Sequence, residues 1–207
     1  MVFSKLKKWL ASLFKSKRQV KLGIYGPVNS GKTTLANRIC MDWLGEEIGK
    51  VSKIPHETRE IQMKENVTIK NDGKALSFNL IDTPGIATKI DFEDFVRAGL
   101  EEKEAKVRAK EATKGVIEAI KWLDDMDLVM VVLDASIDPI NQVNVTILGN
   151  LDARKIPVLI VGNKIDLKNA NLKRIKSAFP VYKSIGVSAK EGHNVQELYK
   201  TLFKMLK

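Results

Sequence analysis

Hydrophobic positions along the chain gather into short aliphatic runs that alternate with longer amphipathic stretches. The runs at 127–133 and 158–161 are almost continuously aliphatic, which is typical of central strands covered by helices on both faces. Asp72-Gly73 tolerates a positive φ and predicts an antiparallel hairpin between its flanking strands. The predicted strands lie at 20–25, 60–70, 75–81, 127–133, 158–161 and 181–187.

Helical stretches alternate with these strands. The segment 91–123 is mostly helical and highly charged, and its part 100–113 predicts either a solvated helix with i,i+4 ion pairs or a partner surface. The order of elements predicts an α/β fold with a mostly parallel six-stranded sheet flanked by helices. The other predicted helices lie at 32–43, 140–154, 168–178 and 194–206.

Composition and charge indicate a domain boundary near residue 18. The 207 residues are 44% hydrophobic and 29% charged, which suits one compact domain, predicted at 19–207. The single cysteine, Cys40, allows no internal disulfide and fits a reducing, cytoplasmic location. The formal net charge is +10, and residues 1–18 hold six positive and no negative side chains. The rest of the chain therefore carries +4 (+10 − 6).

Residues 1–18 predict an amphipathic basic helix before this domain. At about 100° per residue, the large apolar side chains share one face, and Lys5, Lys8 and Lys15 lie opposite it or at its border. The pattern is typical of a helix at the surface of an anionic membrane, but a helix packed on its own domain or in a partner's groove has it too. The apolar face comprises Val2, Phe3, Leu6, Trp9, Leu10, Leu13 and Phe14.

The segment 26–33 matches the pattern G-x-x-x-x-G-K-[ST] and lies between a predicted strand and a predicted helix. Gly26 and Gly31 let main-chain N–H groups converge on phosphate oxygens, and the helix N-terminus adds a positive dipole. Lys32 is suited to neutralise phosphate charge, and Thr33 to bind Mg²⁺. We therefore predict a nucleoside triphosphate site. The other residues assigned to this phosphate loop are Asn29, Ser30 and Thr34.

Two later motifs distinguish the purine. Asn163, Lys164 and Asp166 directly follow the strand 158–161, and ligands bind at strand ends in such sheets. The carboxylate of Asp166 is able to accept from both the ring N–H and the exocyclic amine of guanine, an arrangement that adenine lacks. The second motif follows the last strand, and the main-chain N–H of Ala189 is suited to meet the guanine carbonyl oxygen. This motif consists of Ser188, Ala189 and Lys190. The predicted ligands are GTP and GDP.

With these motifs, residues 20–207 resemble the Era-like GTPases, translation-factor-type members of the Ras-like P-loop GTPase superfamily. The resemblance implies that Asp82 contacts Mg²⁺ through water and that the N–H of Gly85 meets the γ-phosphate. It also implies that Thr58 binds Mg²⁺ and senses the γ-phosphate, although a solvated loop threonine is the alternative. Loss of the γ-phosphate would release Thr58 and Gly85, which predicts a conformational switch.

The resemblance also assigns catalysis to Lys32, Thr58, Gly85 and Asn29. Ile86 stands where Ras-type enzymes carry a glutamine that orients the attacking water, so slow intrinsic hydrolysis is expected unless an ion or a partner completes the site. Asn29 coincides with the asparagine that coordinates K⁺ in potassium-stimulated members. Its alternative role is to shape the loop.

The cellular role stays open between two partners. The N-terminal helix favours a GTPase peripheral to the inner face of the cell membrane, with membrane remodelling or vesicle formation suggested by resemblance to archaeal members. The alternative is an Era-like RNA or ribosome-assembly factor whose basic N-terminus touches phosphates; a chain that ends at Lys207 without an appended RNA-binding domain weighs against it. An effector or activating protein and a nucleotide-dependent dimer are further expectations. A scaffold that binds GTP without hydrolysing it is a third interpretation.

Overall fold

A six-stranded sheet with the order β2-β3-β1-β4-β5-β6 forms the centre of the protein. The computed structural model describes residues 19–49, 60–71, 73–87 and 89–206. The predicted helix at 1–18 and Thr58 lie outside the described residues. The strands are β1 (Val20–Tyr25), β2 (Gln62–Asn71), β3 (Lys74–Asp82), β4 (Leu128–Asp134), β5 (Val158–Asn163) and β6 (Lys183–Gly186).

The register of the sheet brings five strand ends to one edge. Strands β3, β1, β4, β5 and β6 are mutually parallel, whereas β2 pairs antiparallel with β3. Ile24 in β1 lies opposite Asp82 in β3, and Asp134 in β4 lies opposite Asn163 in β5. Polar residues thus end three of the parallel strands at the edge where the sequence motifs lie. The predicted mostly parallel α/β fold is confirmed.

Six helices in the described part of the chain surround the sheet. The segment 91–123, predicted to be mostly helical, forms two helices, and between them Gly99 adopts a left-handed backbone with φ 99°. The predicted helix at 168–178 begins later, where the Asn171 side chain accepts a hydrogen bond from the N–H of Arg174. The helices are α1 (Lys32–Leu44), α2 (Phe92–Arg97), α3 (Glu102–Trp122), α4 (Gln142–Ala153), α5 (Leu172–Ala178) and α6 (Val195–Met205). None of them is long and apolar enough to cross a bilayer.

Two hydrophobic cores cover the two faces of the sheet. On one face, α1 and α6 pack through residues such as Leu35 and Leu202. On the other, α3, α4 and α5 contribute Ala119, Leu151 and Ile175. The near-continuous aliphatic strands β4 and β5 have a buried residue at every position except Asp134. A third, separate cluster joins α2 to the first half of α3 and contains Phe95, Ala105 and Ala112.

Candidate nucleotide-binding site

The phosphate loop turns sharply between β1 and α1. Gly26 and Gly31 have φ values of 152° and 91°, which L side chains rarely adopt. Gly31 stands at the N-terminus of α1, whose first N–H groups lack intrahelical partners and are the donors that a phosphate requires. Ser30 is buried, and its hydroxyl has no hydrogen-bond partner within the described part of the chain. The loop therefore has the form of an anion cradle.

Lys32 lies buried in this loop. Its Nζ donates to the carbonyl oxygen of Pro27 at 2.8 Å, and only 6% of the residue is exposed. Burial lowers the pKa of Lys32 to about 8, although the nearby charge of Asp82 opposes the shift. A cation held in this way is poorly solvated, so a phosphate anion is a suitable partner for it.

Thr33 and Asp82 meet at the start of α1 and the end of β3. The Thr33 hydroxyl donates to Oδ2 of Asp82 at 2.7 Å. Asp82 is fully buried, and its Oδ1 has no hydrogen-bond partner among the residues that the structure describes. Burial raises the pKa of Asp82 to about 6, against the lowering effects of Thr33, Lys32 and the Thr83 N–H. A buried carboxylate oxygen with free acceptor capacity beside a hydroxyl oxygen fits the hard-oxygen preference of Mg²⁺.

The described residues contain no group of three His, Cys, Asp or Glu side chains that could hold a metal by themselves. A Mg²⁺ ion at Thr33 and Asp82 would therefore depend on phosphate oxygens and water for most of its ligands, as is usual for nucleotide-bound magnesium. Thr58, the third residue assigned to the metal, lies outside the described residues. Its role stays a prediction.

Gly85 lies against the phosphate loop. A Cβ at this position would stand 2.9 Å from Cα of Val28 and 3.2 Å from Nζ of Lys32, so only glycine fits. The next residue, Ile86, donates its main-chain N–H to the carbonyl of Gly26 at 3.1 Å. Its side chain is buried in the core beside Tyr25 and Ile81 and has no group that orients water. The pairing places the 82–85 segment beside the predicted phosphate position.

Asn163 connects the phosphate loop with the motif at 188–190. Its Nδ2 donates to the carbonyl of Ser30 in the phosphate loop at 3.0 Å. Its Oδ1 accepts from the N–H of Ala189, also at 3.0 Å. The side chain is 3% exposed, and it packs so closely on Gly31 that a Cβ there would overlap it. The sequence motifs at 26–33, 163–166 and 188–190 therefore form one site.

The remaining residues of the guanine motif are held by polar partners. Lys164 donates from Nζ to Oδ2 of Asp134 at 2.6 Å. Burial favours a raised pKa for Asp134, but hydrogen bonds from Lys164 and Ser136 outweigh it, and the pKa is lowered. A hydrogen bond from Ser188 lowers the pKa of Asp166. Asp166 is exposed and ionised at neutral pH, which is the state required to accept from two guanine N–H groups.

Three supporting residues are missing from the sequence-based prediction. Asp134 orients Lys164, and its position at a strand end is the signal that could have indicated it. Arg38 in α1 donates to the carbonyls of Ala189 and Lys190, at 3.1 and 2.8 Å. Nothing in the local sequence indicates this contact, which spans about three quarters of the chain. The third residue, Asn37, accepts from the N–H groups of Ile48 and Gly49.

Asn29 is exposed at the tip of the phosphate loop and has a left-handed backbone with φ 59°. Asparagine tolerates this conformation better than most residues, so shaping of the loop is sufficient to explain it. Its assignment to K⁺ stays a prediction. Thr34 follows in the first turn of α1 and is partly buried.

Comparison with known proteins identifies the family of the chain. A family model described as 50S ribosome-binding GTPase matches residues 21–164. The chain is 30% identical over 188 residues to GTPase Era of Clostridium acetobutylicum, covering 88% of this chain and 54% of that protein. It is 33% identical over 185 residues to GTPase Era of Geotalea uraniireducens, covering 86% and 52%. The chain thus spans about half the length of these relatives.

Solved structures of Era share the fold. A variant of Aquifex aeolicus Era bound to GDP.AlF4- has a TM-score of 0.68 and 24% identity, with 89% of this chain and 56% of that chain covered. Era in complex with MgGDPNP and nucleotides 1506-1542 of 16S ribosomal RNA has a TM-score of 0.69 and 23% identity, with 90% and 56% covered. The family model extends from β1 through the phosphate loop to Lys164 and covers more than two thirds of the sequence. The chain belongs to the 50S ribosome-binding GTPase family.

Proposed function

We propose that the chain is an Era-like molecular switch that binds GTP with Mg²⁺, hydrolyses it to GDP and phosphate, and acts on ribosomal RNA. The observation that carries the nucleotide part is the position of Asn163, which hydrogen-bonds both to the phosphate loop and to the guanine motif. A ligand that satisfies both ends must combine phosphates with a guanine base, and GTP has both.

In this proposal each part of the site has a separate task. Lys32 and the main-chain N–H groups at the start of α1 hold the phosphates, while Asp166 and the Ala189 N–H select guanine. Thr33 and Asp82 would hold Mg²⁺, which supplies charge neutralisation between the β- and γ-phosphates. Ile86 cannot orient a water molecule, so hydrolysis is slow until a partner or a cation completes the site.

The comparisons support ribosomal RNA more than a membrane as the partner. The family description names 50S ribosome binding, and one similar structure contains 16S ribosomal RNA. The membrane interpretation depends on residues 1–18, which lie outside the described residues. It stays a prediction, together with membrane remodelling, the nucleotide-dependent dimer and the location at the inner face of the cell membrane.

Nucleotide selection is tested by titrating the purified chain with GTP and with ATP in the presence of Mg²⁺ and following the heat of binding. We expect GTP to bind far more tightly. Asp166→Asn should lose this preference because an amide presents N–H groups to the guanine donors. Asp152→Asn, at an exposed position on α4, makes the same charge change and should behave as the wild type. Tighter binding of ATP by the wild type would refute the nucleotide part.

The partner is tested by sedimenting the full chain with ribosomal particles and, separately, with anionic liposomes, in GTP and in GDP. Nucleotide-dependent association with the particles supports the ribosomal role. Association with liposomes alone would support the membrane interpretation instead. Single-turnover hydrolysis in K⁺ and in Na⁺ tests Asn29, because equal rates would exclude K⁺ as a cofactor.

A further inference from the structure

The outward face of α3 carries a line of lysines. On a helix with 3.6 residues per turn, these side chains point within about 20° of a common direction, and the buried residues of α3 lie on the opposite side. All are exposed. At 1.5 Å per residue, the line extends for about 27 Å. We call it the lysine line, and it consists of Lys103, Lys110, Lys114 and Lys121.

The lysines of this line lie apart from the acidic residues of α3. The expected i,i+4 ion pair occurs between Glu102 and Lys106, but Lys106, Lys110 and Lys114 then follow one another at intervals of four residues. Like charges at this spacing destabilise a helix. The acidic residues at 104, 111 and 118 lie at seven-residue intervals on a separate line. No residue of the lysine line forms an ion pair within the described part of the chain.

We propose that the lysine line binds the phosphate backbone of RNA. A straight row of exposed cations, separated by helical turns and kept at a cost to helix stability, is complementary to a regularly charged polyanion. The proposal rests on the proposed ribosomal function and adds a surface of this domain that would contact the RNA.

A membrane fits this surface less well. An interfacial helix inserts a face of large apolar side chains, whereas the apolar face of α3 is buried against the sheet and against α2. The exposed large hydrophobic side chains of α3 are Val107 and Ile117, at 54% and 50%. They are nearly three turns apart and form no continuous apolar face.

The lysine line is joined to the nucleotide site without being part of it. The hydroxyl of Tyr25, at the end of β1, donates to the carbonyl of Ala119 in α3 at 2.9 Å. The first half of α3 packs on α2, which follows the segment of Gly85 and Ile86. Substitutions in the lysine line should therefore change RNA binding and leave GTP binding intact.

The test compares two triple variants of the full chain. One is Lys110→Gln, Lys114→Gln and Lys121→Gln. The matched control removes three exposed lysines from α5 and α6, as Lys173→Gln, Lys176→Gln and Lys204→Gln, and has the same net charge. Binding of a fluorescein-labelled RNA hairpin is followed by anisotropy over a series of salt concentrations, without nucleotide. GTP affinity is measured separately.

We expect the α3 variant to bind RNA on the order of tenfold to hundredfold more weakly at physiological salt, with the salt slope reduced by about three, one for each lost phosphate contact. The control variant should stay close to the wild type, and all three proteins should bind GTP equally. Equal RNA affinities of the two variants would overturn the proposal. So would unchanged RNA binding of the α3 variant with lost binding to phosphatidylglycerol vesicles, which would assign the surface to a membrane.

The outcome of the RNA-binding comparison does not depend on whether the chain selects GTP. If the wild type binds no GTP, the proposed function fails, but the RNA comparison without nucleotide still decides the role of the lysine line. If GTP binds and the two variants do not differ on RNA, only the lysine line is refuted.

Discussion

Replacing Asn163 tests whether one buried side chain holds the site together. Asn163→Ala removes two hydrogen bonds and leaves the Ser30 carbonyl and the Ala189 N–H without this partner. Each unpaired buried group costs about 1–3 kcal/mol, so the free energy of unfolding should fall by about 2–6 kcal/mol. Nucleotide affinity should fall as well, because the phosphate loop and the guanine motif lose their shared support.

The measurement is urea unfolding of the nucleotide-free protein, together with calorimetric titration with GDP. Asn169→Ala is the matched control, because its Nδ2 also donates to a main-chain carbonyl, that of Ser136, at 3.0 Å, but in an exposed position. Water replaces that bond, so the control should cost less than about 1 kcal/mol. The reasoning would be refuted if both variants unfolded with the same free energy and bound GDP equally.

Three further predictions concern the same site. Gly31→Ala should abolish GTP binding, since a Cβ would overlap the side chain of Asn163 at a φ of 91°; unchanged calorimetric affinity would contradict this. Tyr25→Phe should lower the free energy of unfolding in urea by about 1 kcal/mol, because it removes the bond to Ala119; no change would show that this bond is unimportant. In the nucleotide-free protein the pKa of Lys32 is lowered from 10.5 to about 8. Between pH 8 and pH 10.5 the Lys32 side chain is protonated in the unfolded chain and largely neutral in the folded one, so the free energy of unfolding should rise with pH by about 3 kcal/mol. Urea unfolding measured across this pH range should show the rise in the wild type and not in Lys32→Met.

The elements were predictable because their signals are local. Aliphatic runs marked β4 and β5, the pair Asp72-Gly73 marked the hairpin, and G-x-x-x-x-G-K-T marked the turn from β1 into α1. The segment 91–123 is mostly helical, as predicted, but its division into two helices at Gly99 was not predicted. A single left-handed residue is enough to redirect the chain, and periodicity does not detect it.

The residues that would contact the nucleotide were predictable from the sequence, but several residues that support them were not. The phosphate-loop lysine and the guanine-motif carboxylate could be assigned from residue type and position at a strand end. Arg38 could not, since its role depends on contact with carbonyls about 150 residues later in the chain. The strand-end argument that identified Asn163 applies to Asp134 as well. The hydrogen bond from Lys164 to Asp134, however, became evident only in the structure.

The sequence by itself determined which groups are present and the order in which they follow the strands: a glycine-rich loop, the carboxylate of Asp82 and a guanine motif that contains Asp166. These depend on residue type and short-range spacing. Only the tertiary structure decided that Asn163 bridges two of them, that Asp82 is buried with an unpaired oxygen, and that four lysines of α3 align on an exposed face. Those properties depend on burial and on contacts between distant segments, which arise when parallel strands bring their ends to one edge and helices bury one face of their side chains.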